Sequence, residues 1–555
     1  MPHSCRNLTY AIAAGAVATA GFVFPSGATA AAPRTATSDF NGDGYADLAV
    51  GVPDGAVGGQ AKAGYVNVVW GGPKGVGAHG SIRVTQATPE VPGTPEAGDR
   101  FGASVALADL NGDGSAELLA GVPGEDVTDR GTDAGMVIAI GGSTDEPGPG
   151  ATLLTGPSPS AAYGKSVAAA ELTGDDNKEI VIGGTDKVLA RVIQGEDSMI
   201  TTVVAAPMGG RAPVLTTGDF DSDGTADLAV AYWTAGNPNT QSHVRLWKWD
   251  ADRSEMANFW NTDNAGVTAL AAGDFDGDGH DDLALGECRE IADENIDDPC
   301  GPERLAMGGG IHLHYGSPAS GSFGSRAQTL NQDTAGVPGV AEDGDRFGAA
   351  LAVADVNRDG RDDLIAGAPG EAIGSRAGAG AAWLLSGSAQ GLLDAGGAAT
   401  SVSWNQDTPG VPGVAEAGDT FGAAVASGDC DADGVPDVTV GSPGENASLG
   451  AAWLFRSGSA DGSTAFSPRT LGPVPVHGSE VRQAAEQPLS APYGRCTQPH
   501  SVGSPAGRRA DTSLPGALDG RLDSCPTQRR WQTALRGLPV SSFVEAGVSR
   551  TRPPS

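Results

Sequence analysis

Positive charge is scarce in this sequence: 34 Lys and Arg stand against 68 Asp and Glu, giving a formal charge of -34 and a pI near 4.4. A chain of that sign repels phosphate backbones, which sets nucleic-acid partners aside. Long apolar runs are nearly absent. The one candidate, from about Tyr10 to Phe24, follows Arg6 and leads into Ala28, Ala30, Ala31 and Ala32. It falls short of the ~18–20 apolar residues that a membrane span needs. It fits instead a secretory signal peptide over residues 1–32, cleaved after Ala30 or Ala32. The expectation is a secreted, extracellular chain without a membrane span.

Cysteine is also rare, six residues in 555. Cys5 leaves with the signal peptide. Cys288 and Cys300 bracket an acidic insertion and are expected to pair, because an exported chain meets oxidising conditions. Cys430 reads as a packing residue. Cys496 and Cys525 lie in a tail, residues 473–555, that carries 10 Arg against 6 Asp or Glu and is rich in Pro, Ser and Gly. Without periodic apolar runs, that tail is expected to be disordered.

Familiar catalytic signatures are missing as well. There is no Gly-x-Ser-x-Gly and no His-Glu-x-x-His. Gly164, Lys165 and Ser166 imitate the end of a phosphate-binding loop, but Pro159 stands where its first glycine is required. His312 and His314 share one face of a strand and read as its solvated side, with Ile311, Leu313 and Tyr315 buried. The acid pairs Glu96/Asp99, Glu342/Asp345 and Glu416/Asp419 recur before similar corners, which favours architecture over a unique catalytic centre.

What the sequence has in quantity is acid at fixed spacing. Asp274, Asp276 and Asp278 alternate at positions 1, 3 and 5 of a loop, Gly279 holds position 6 and Asp282 position 9. Oxygen donors in this order suit Ca²⁺, a hard cation that takes six to eight oxygens, and the glycine permits the turn that folds them inward. Six further copies follow the same plan. The first has Asp39, Asn41, Asp43 and Asp47; the second Asp109, Asn111, Asp113 and Glu117. The fourth has Asp219, Asp221, Asp223 and Asp227; the sixth Asp355, Asn357, Asp359 and Asp363; the seventh Asp429, Asp431, Asp433 and Asp437. The third, residues 171–179, is degenerate: Thr173 takes a ligand position, Asp176 replaces the glycine and Lys178 adds positive charge, so it is expected to be empty. Turn formation alone would need one or two such residues per loop, not this set. The seven copies contain 27 of the 68 carboxylates, and six bound Ca²⁺ would bring the charge from -34 to -22.

The loops start 70, 62, 48, 55, 81 and 74 residues apart, the spacing of a repeat architecture. Before each of several loops comes an aromatic-glycine pair and a run of small residues, as at Phe101-Gly102, Tyr163-Gly164, Phe347-Gly348 and Phe421-Gly422. After the loop a strand closes on glycine and proline, as at Gly121 to Pro123, Gly367 to Pro369 and Gly441 to Pro443. A third, alternating strand follows, such as Gly380–Leu385 or Gly450–Phe455, and a weaker fourth. Four short antiparallel strands in seven units describe an all-β, seven-bladed β-propeller over residues 33–472. Small residues fit the crowded innermost strands, and Trp or Val on the third strands fits the widening gap between blades.

Phe-Gly, then Gly-Ala-Pro around a calcium loop, resembles the FG-GAP repeats of integrin α-subunit heads and of glycosylphosphatidylinositol-specific phospholipase D, over residues from about 36 to 472. The segments Asn331–Gly339 and Asn405–Gly413 look like those of secreted FG-GAP proteins of actinobacteria. The resemblance implies a seven-bladed propeller with calcium in loops on one face. Integrins usually carry such loops in only some blades, whereas six of seven qualify here. Neither the later integrin domains nor the phospholipase's catalytic domain has a counterpart in these 555 residues. The functional expectation is therefore a monomeric, calcium-stabilised module that binds an extracellular protein or glycan without chemistry of its own. The alternative is a hydrolase, a phosphodiesterase or glycosidase, with its site at the central channel.

Overall fold

The computed structural model describes residues 38–143, 147–175, 177–194, 197–235, 240–263, 265–290, 308–317 and 323–471. The expected signal peptide and tail lie outside these residues, as does Cys300, the expected partner of Cys288. The described chain forms seven antiparallel sheets, each a simple meander in which sequential strands pair. Six have four strands. Their inner strands are Val105–Ala108, Ser166–Ala170, Val214–Gly218, Ala265–Gly273, Ala350–Ala354 and Ala424–Gly428. The first sheet shows three, Leu48–Val52, Tyr65–Val69 and Ser81–Val84. Its acidic loop is preceded by Ser38, whose carbonyl accepts from the Asp47 amide at 3.0 Å. An apolar cavity of about 390 Å³ adjoins this sheet, between Ala423–Ala426 of the seventh blade and Gly102–Val105 of the second.

Burial follows strand position. Inner strands are built mainly from Ala, Ser, Thr, Gly and Val with a Leu in four of them, and all but the largely buried one of the fifth blade are half-buried, because successive inner strands stand side by side around the axis. Second strands are covered on both faces: every residue of Glu179–Gly183 and of Asp363–Ala368 is buried. Seven of the eight hydrophobic clusters straddle two blades, and the eighth, Val52, Val57, Ala63 and Tyr65, lies within the first. Phe347 of the sixth blade packs edge-on against Trp383 at 5.2 Å, and Phe421 of the seventh does the same with Trp453. Ala46, Val69 and Val76 of the first blade meet Cys430, Leu454 and Phe466 of the seventh, which closes the ring. Cys430 is a buried free thiol in that seam, the packing role read from its position.

The aromatic-glycine and glycine-proline motifs form one joint. The amide of the aromatic residue donates to the preceding blade: Phe101 to Ala63, Tyr163 to Ala134, Phe347 to Gly308 and Phe421 to Ala379. The next residue turns with positive φ, +86° at Gly422, a region that favours glycine. Its carbonyl then comes so near Gly367 of the preceding blade that a Cβ there would sit 1.9 Å away. Two glycines thus let neighbouring blades meet backbone to backbone.

Gly367→Ala should consequently cost about 1–3 kcal/mol, since the clash is with backbone that has nowhere to go. Val414→Ala, at a side chain 63% exposed, should stay within about 0.5 kcal/mol. Urea unfolding of both variants checks this, and equal losses would contradict the joint.

Candidate metal centres

Each acidic loop joins an inner strand to a second strand, and its carboxylates first hold the loop itself. Position 1 caps the turn: Asp39 accepts from the amides of Gly42 at 2.7 Å, Asp43 at 3.1 Å and Gly44 at 2.7 Å. Asp109 and Asp274 receive the same three amides in their loops. Asp219, Asp355 and Asp429 receive those of positions 5 and 6. Position 9 ties the loop to the sheet. Asp47 Oδ2 accepts from the Phe40 amide at 2.9 Å while its Oδ1 accepts from the Gly71 amide, beyond the third strand, at 2.8 Å. Asp282 and Asp363 repeat both contacts, to Phe275 and Gly316 and to Val356 and Gly387.

Loops of successive blades also hold one another. The amide at position 8 donates to the position-1 carbonyl of the preceding loop, from Ala116 to Asp39, Ala226 to Glu171, Asp281 to Asp219 and Asp362 to Asp274. Ala46 does so to Asp429 across the ring closure at 3.4 Å. In the seventh loop Pro436 stands at position 8 and has no amide hydrogen to give. The Asp281 and Asp362 carboxylates return the favour, accepting from the amides of Asp219 and Asp274 at 2.8 and 3.0 Å.

Ligand oxygens converge. Asp219, Asp221 and Asp227 can each bring one within 4.8 Å of the others, as can Asp274, Asp276 and Asp282, and Asp429, Asp431 and Asp433. Loops with Asn at position 3 present one carboxylate fewer and an amide oxygen instead. Asp221 Oδ1, Asp227 Oδ1 and Asp437 Oδ2 are buried without a hydrogen-bond partner. Buried, unpaired carboxylate oxygens are costly unless a cation meets them, so this donor set fits a hard divalent ion. Burial first, then the neighbouring loop carboxylates, pushes Asp227 up to about 8. Burial likewise lifts Asp282 to about 8, Asp437 and Glu117 to about 7, and Asp47 and Asp363 to about 6.

Three basic residues at these centres were not legible in the loop motif. Lys248 Nζ lies 2.7 Å from Asp221 Oδ2, Arg456 donates to Asp431 from Nε at 2.9 Å, and Arg326 contacts Asp276. Each comes from the far side of its blade, at or just beyond the third strand or just before the fourth. In the third loop Glu171 accepts from the Thr173, Gly174 and Asp175 amides, and Glu179 from Leu172, so the turn survives degenerate ligands; Asp176 lies outside the described residues.

The remaining candidates serve the scaffold. Asp99, Asp345 and Asp419 each accept from the amide of the acidic partner three residues earlier, and their carbonyls receive Gly124, Gly370 and Gly444. Lys165 donates to the Gly210 carbonyl. Ile311, Leu313 and Tyr315 are buried as expected, but His312 and His314 are half-buried rather than solvated. The Trp260 ring of the fourth blade lies 5.0 Å from that of His314, and burial pushes this imidazole down to about 4.

The FG-GAP repeat family matches residues 31–69, 101–140, 347–385 and 421–455, and the FG-GAP-like repeat family matches residues 219–285. The first, second, sixth and seventh blades are FG-GAP repeats. Integrin alpha pat-2 of Caenorhabditis briggsae is 32% identical over 236 residues, 40% of this chain and 17% of that protein. Integrin alpha-PS2 of Drosophila melanogaster is 29% identical over 234 residues, 41% of this chain and 15% of the relative. Phosphatidylinositol-glycan-specific phospholipase D of Rattus norvegicus is 33% identical over 114 residues, 20% of this chain and 12% of the relative. The FG-GAP propeller thus spans less than a fifth of the length of these relatives. Among its described residues, no helix is long and apolar enough to cross a membrane.

The raised carboxylates fix a pH dependence for the metal-free protein. A folded-state value above the unfolded one adds stability at low pH that is lost as pH rises through the folded value. Between about pH 4 and 8 the chelated FG-GAP propeller should therefore melt at progressively lower temperature, while excess calcium, taking the place of the protons, should flatten or reverse the trend. Melting scans with chelator across this range check it, and a rising melting temperature would contradict it.

Proposed function

We propose that this chain is an exported recognition module, a propeller whose acidic loops take Ca²⁺ and whose surface binds an extracellular protein or glycan. The observation that carries the reading is the FG-GAP repeat set itself, shared with two integrin α chains over about two fifths of this sequence. Support for calcium comes from the all-oxygen donor set, which Ca²⁺ accepts at high coordination number and Mg²⁺ accepts only in near-ideal octahedra. The ligands are Asp39, Asn41, Asp43 and Asp47 and their counterparts in the second, fourth, fifth, sixth and seventh loops, with the third loop empty. At the ~10⁻⁴–10⁻³ M affinities of extracellular modules, calcium acts as a clamp more than a signal.

The ring supplies rigid second and third strands, and the hairpin loops at the aromatic-glycine end vary in length and sequence between blades, the usual place for recognition on a constant scaffold. At that end the Asp99, Asp345 and Asp419 carboxylates hold corners in three blades, which supports a binding role over hydrolysis. The test is a protein and glycan binding screen of the purified chain in calcium and in chelator, run beside phosphodiesterase and glycosidase assays. Saturable binding that chelation weakens is the expected result. Turnover that is lost in Asp419→Asn while the fold persists would overturn the reading in favour of a hydrolase.

A further inference from the structure

The three basic side chains at the acidic loops are distributed by a rule. Lys248, Arg326 and Arg456 contact the position-3 carboxylates of the fourth, fifth and seventh loops, Asp221, Asp276 and Asp431. Those are the three well-formed loops with Asp at position 3. The first, second and sixth have Asn41, Asn111 and Asn357 there, and the amide groups bond within their own loops, to Asp43, Glu117 and Asp363. Counted over positions 1, 3, 5 and 9, four carboxylates with one ion-paired cation and three carboxylates with one amide carry the same charge, minus three; Asp281 and Asp362 at position 8 turn to the amides of the preceding loops.

Strand register shows that this is a placed partner. Leu228 pairs with Trp247 and Val438 with Phe455, so Lys248 and Arg456 occupy the same site, one residue past the partner of the residue after position 9. The same register puts Trp70, Gly141 and Ser386 at that site in the three Asn loops, and none is charged. In the fifth blade it holds Tyr315, and Arg326 reaches the loop by lying across that ring at 3.7 Å. The sixth loop has two arginines of its own: Arg361 lies 3.8 Å from Asp359 at position 5, and Arg358 bonds the Asp433 and Gly434 carbonyls of the seventh loop. Neither takes the position-3 role.

Burial supplies the reason. The Asp221, Asp276 and Asp431 side chains are 6%, 6% and 3% exposed, whereas Asn111 and Asn357 are exposed. A fourth carboxylate buried beside three others is expensive without a cation of its own. Lys248 bonds Asp221 through Oδ2, which leaves the buried and otherwise unpartnered Oδ1 for a metal ion. The ammonium can stay in place when the ion enters.

We propose that Lys248, Arg326 and Arg456 are built-in counter-ions that equalise the charge, and with it the calcium affinity, of the six well-formed loops. The inference rests on the calcium reading above. Equilibrium dialysis of the full chain against labelled Ca²⁺ tests it, with melting in chelator as a second readout. The wild type should show a single class of sites. Lys248→Met, Arg326→Met and Arg456→Met combined should split the class, three sites unchanged and three tighter by at least about tenfold, the effect of one unit charge about 5 Å from a divalent ion even at the dielectric constant of water. The same triple variant should melt lower in chelator. Adding Asp221→Asn, Asp276→Asn and Asp431→Asn should restore the single class, and Arg456→Lys alone, which keeps the charge, should leave it intact. Should the triple variant not fold, Lys248→Met alone should tighten one site. Unchanged or weakened sites in the Met variants would overturn the inference while leaving calcium binding standing. A wild type without saturable Ca²⁺ would overturn both.

Discussion

Carboxylates packed at the end of a tight hairpin repel one another, and the described fold depends on how that repulsion is relieved. The acids at positions 1 and 9 are not surface decoration. They collect the amides of their own turn and of the strand exit across the blade, so the loop closes only when its most acidic residues point inward. Backbone amides relieve part of the charge and basic side chains another part, and the proposed divalent ion would take the remainder. Protons also relieve it, since burial lifts Asp227 and Asp282 to about 8.

Two linkages run around the ring, at opposite ends of the inner strands. At one end position-8 amides pass from loop to loop, from Ala116 to Asp39 and from Asp362 to Asp274. At the other, the aromatic-glycine corners of the second, third, sixth and seventh blades enter the blade before, Gly422 against Gly367 among them. Between them lie strands of small residues that permit tight inner packing, and outside them the paired Phe347 and Trp383, or Phe421 and Trp453, fill the wider gaps. Five of the seven loops are tied in this way by a backbone hydrogen bond to the loop before. That arrangement suits a clamp that stiffens the whole ring more than a switch that moves one part.

The architecture was legible because its signals are periodic. Seven spaced loops, glycines at turns and alternating third strands each point to the same blade, and the sheets follow them closely. Cys430 at position 2 could be placed facing the core, because alternate loop residues point away from the ligand positions. The basic counter-ions could not be read, since Lys248 and Arg456 lie more than twenty residues from the carboxylates they meet, and only strand register brings them together. The half-burial of His314 escaped for a similar reason, because Trp260 that covers it belongs to the preceding blade. Contacts within a repeat are written in the local pattern, and contacts across strands or blades are written in the pairing.

Function follows from the same division of labour. One end of the ring is committed to neutralising acid, the corners at the other end are committed to joining blades, and the loops between those corners are free to differ. The central claim is that divalent ions hold the acidic end together, and differential scanning calorimetry of the chain with millimolar calcium against excess chelator tests it most directly. The account predicts a single cooperative transition that shifts upward by many degrees as calcium is added, following the mass-action dependence of a ligand bound only by the folded state. Superimposable transitions in calcium and in chelator would contradict it.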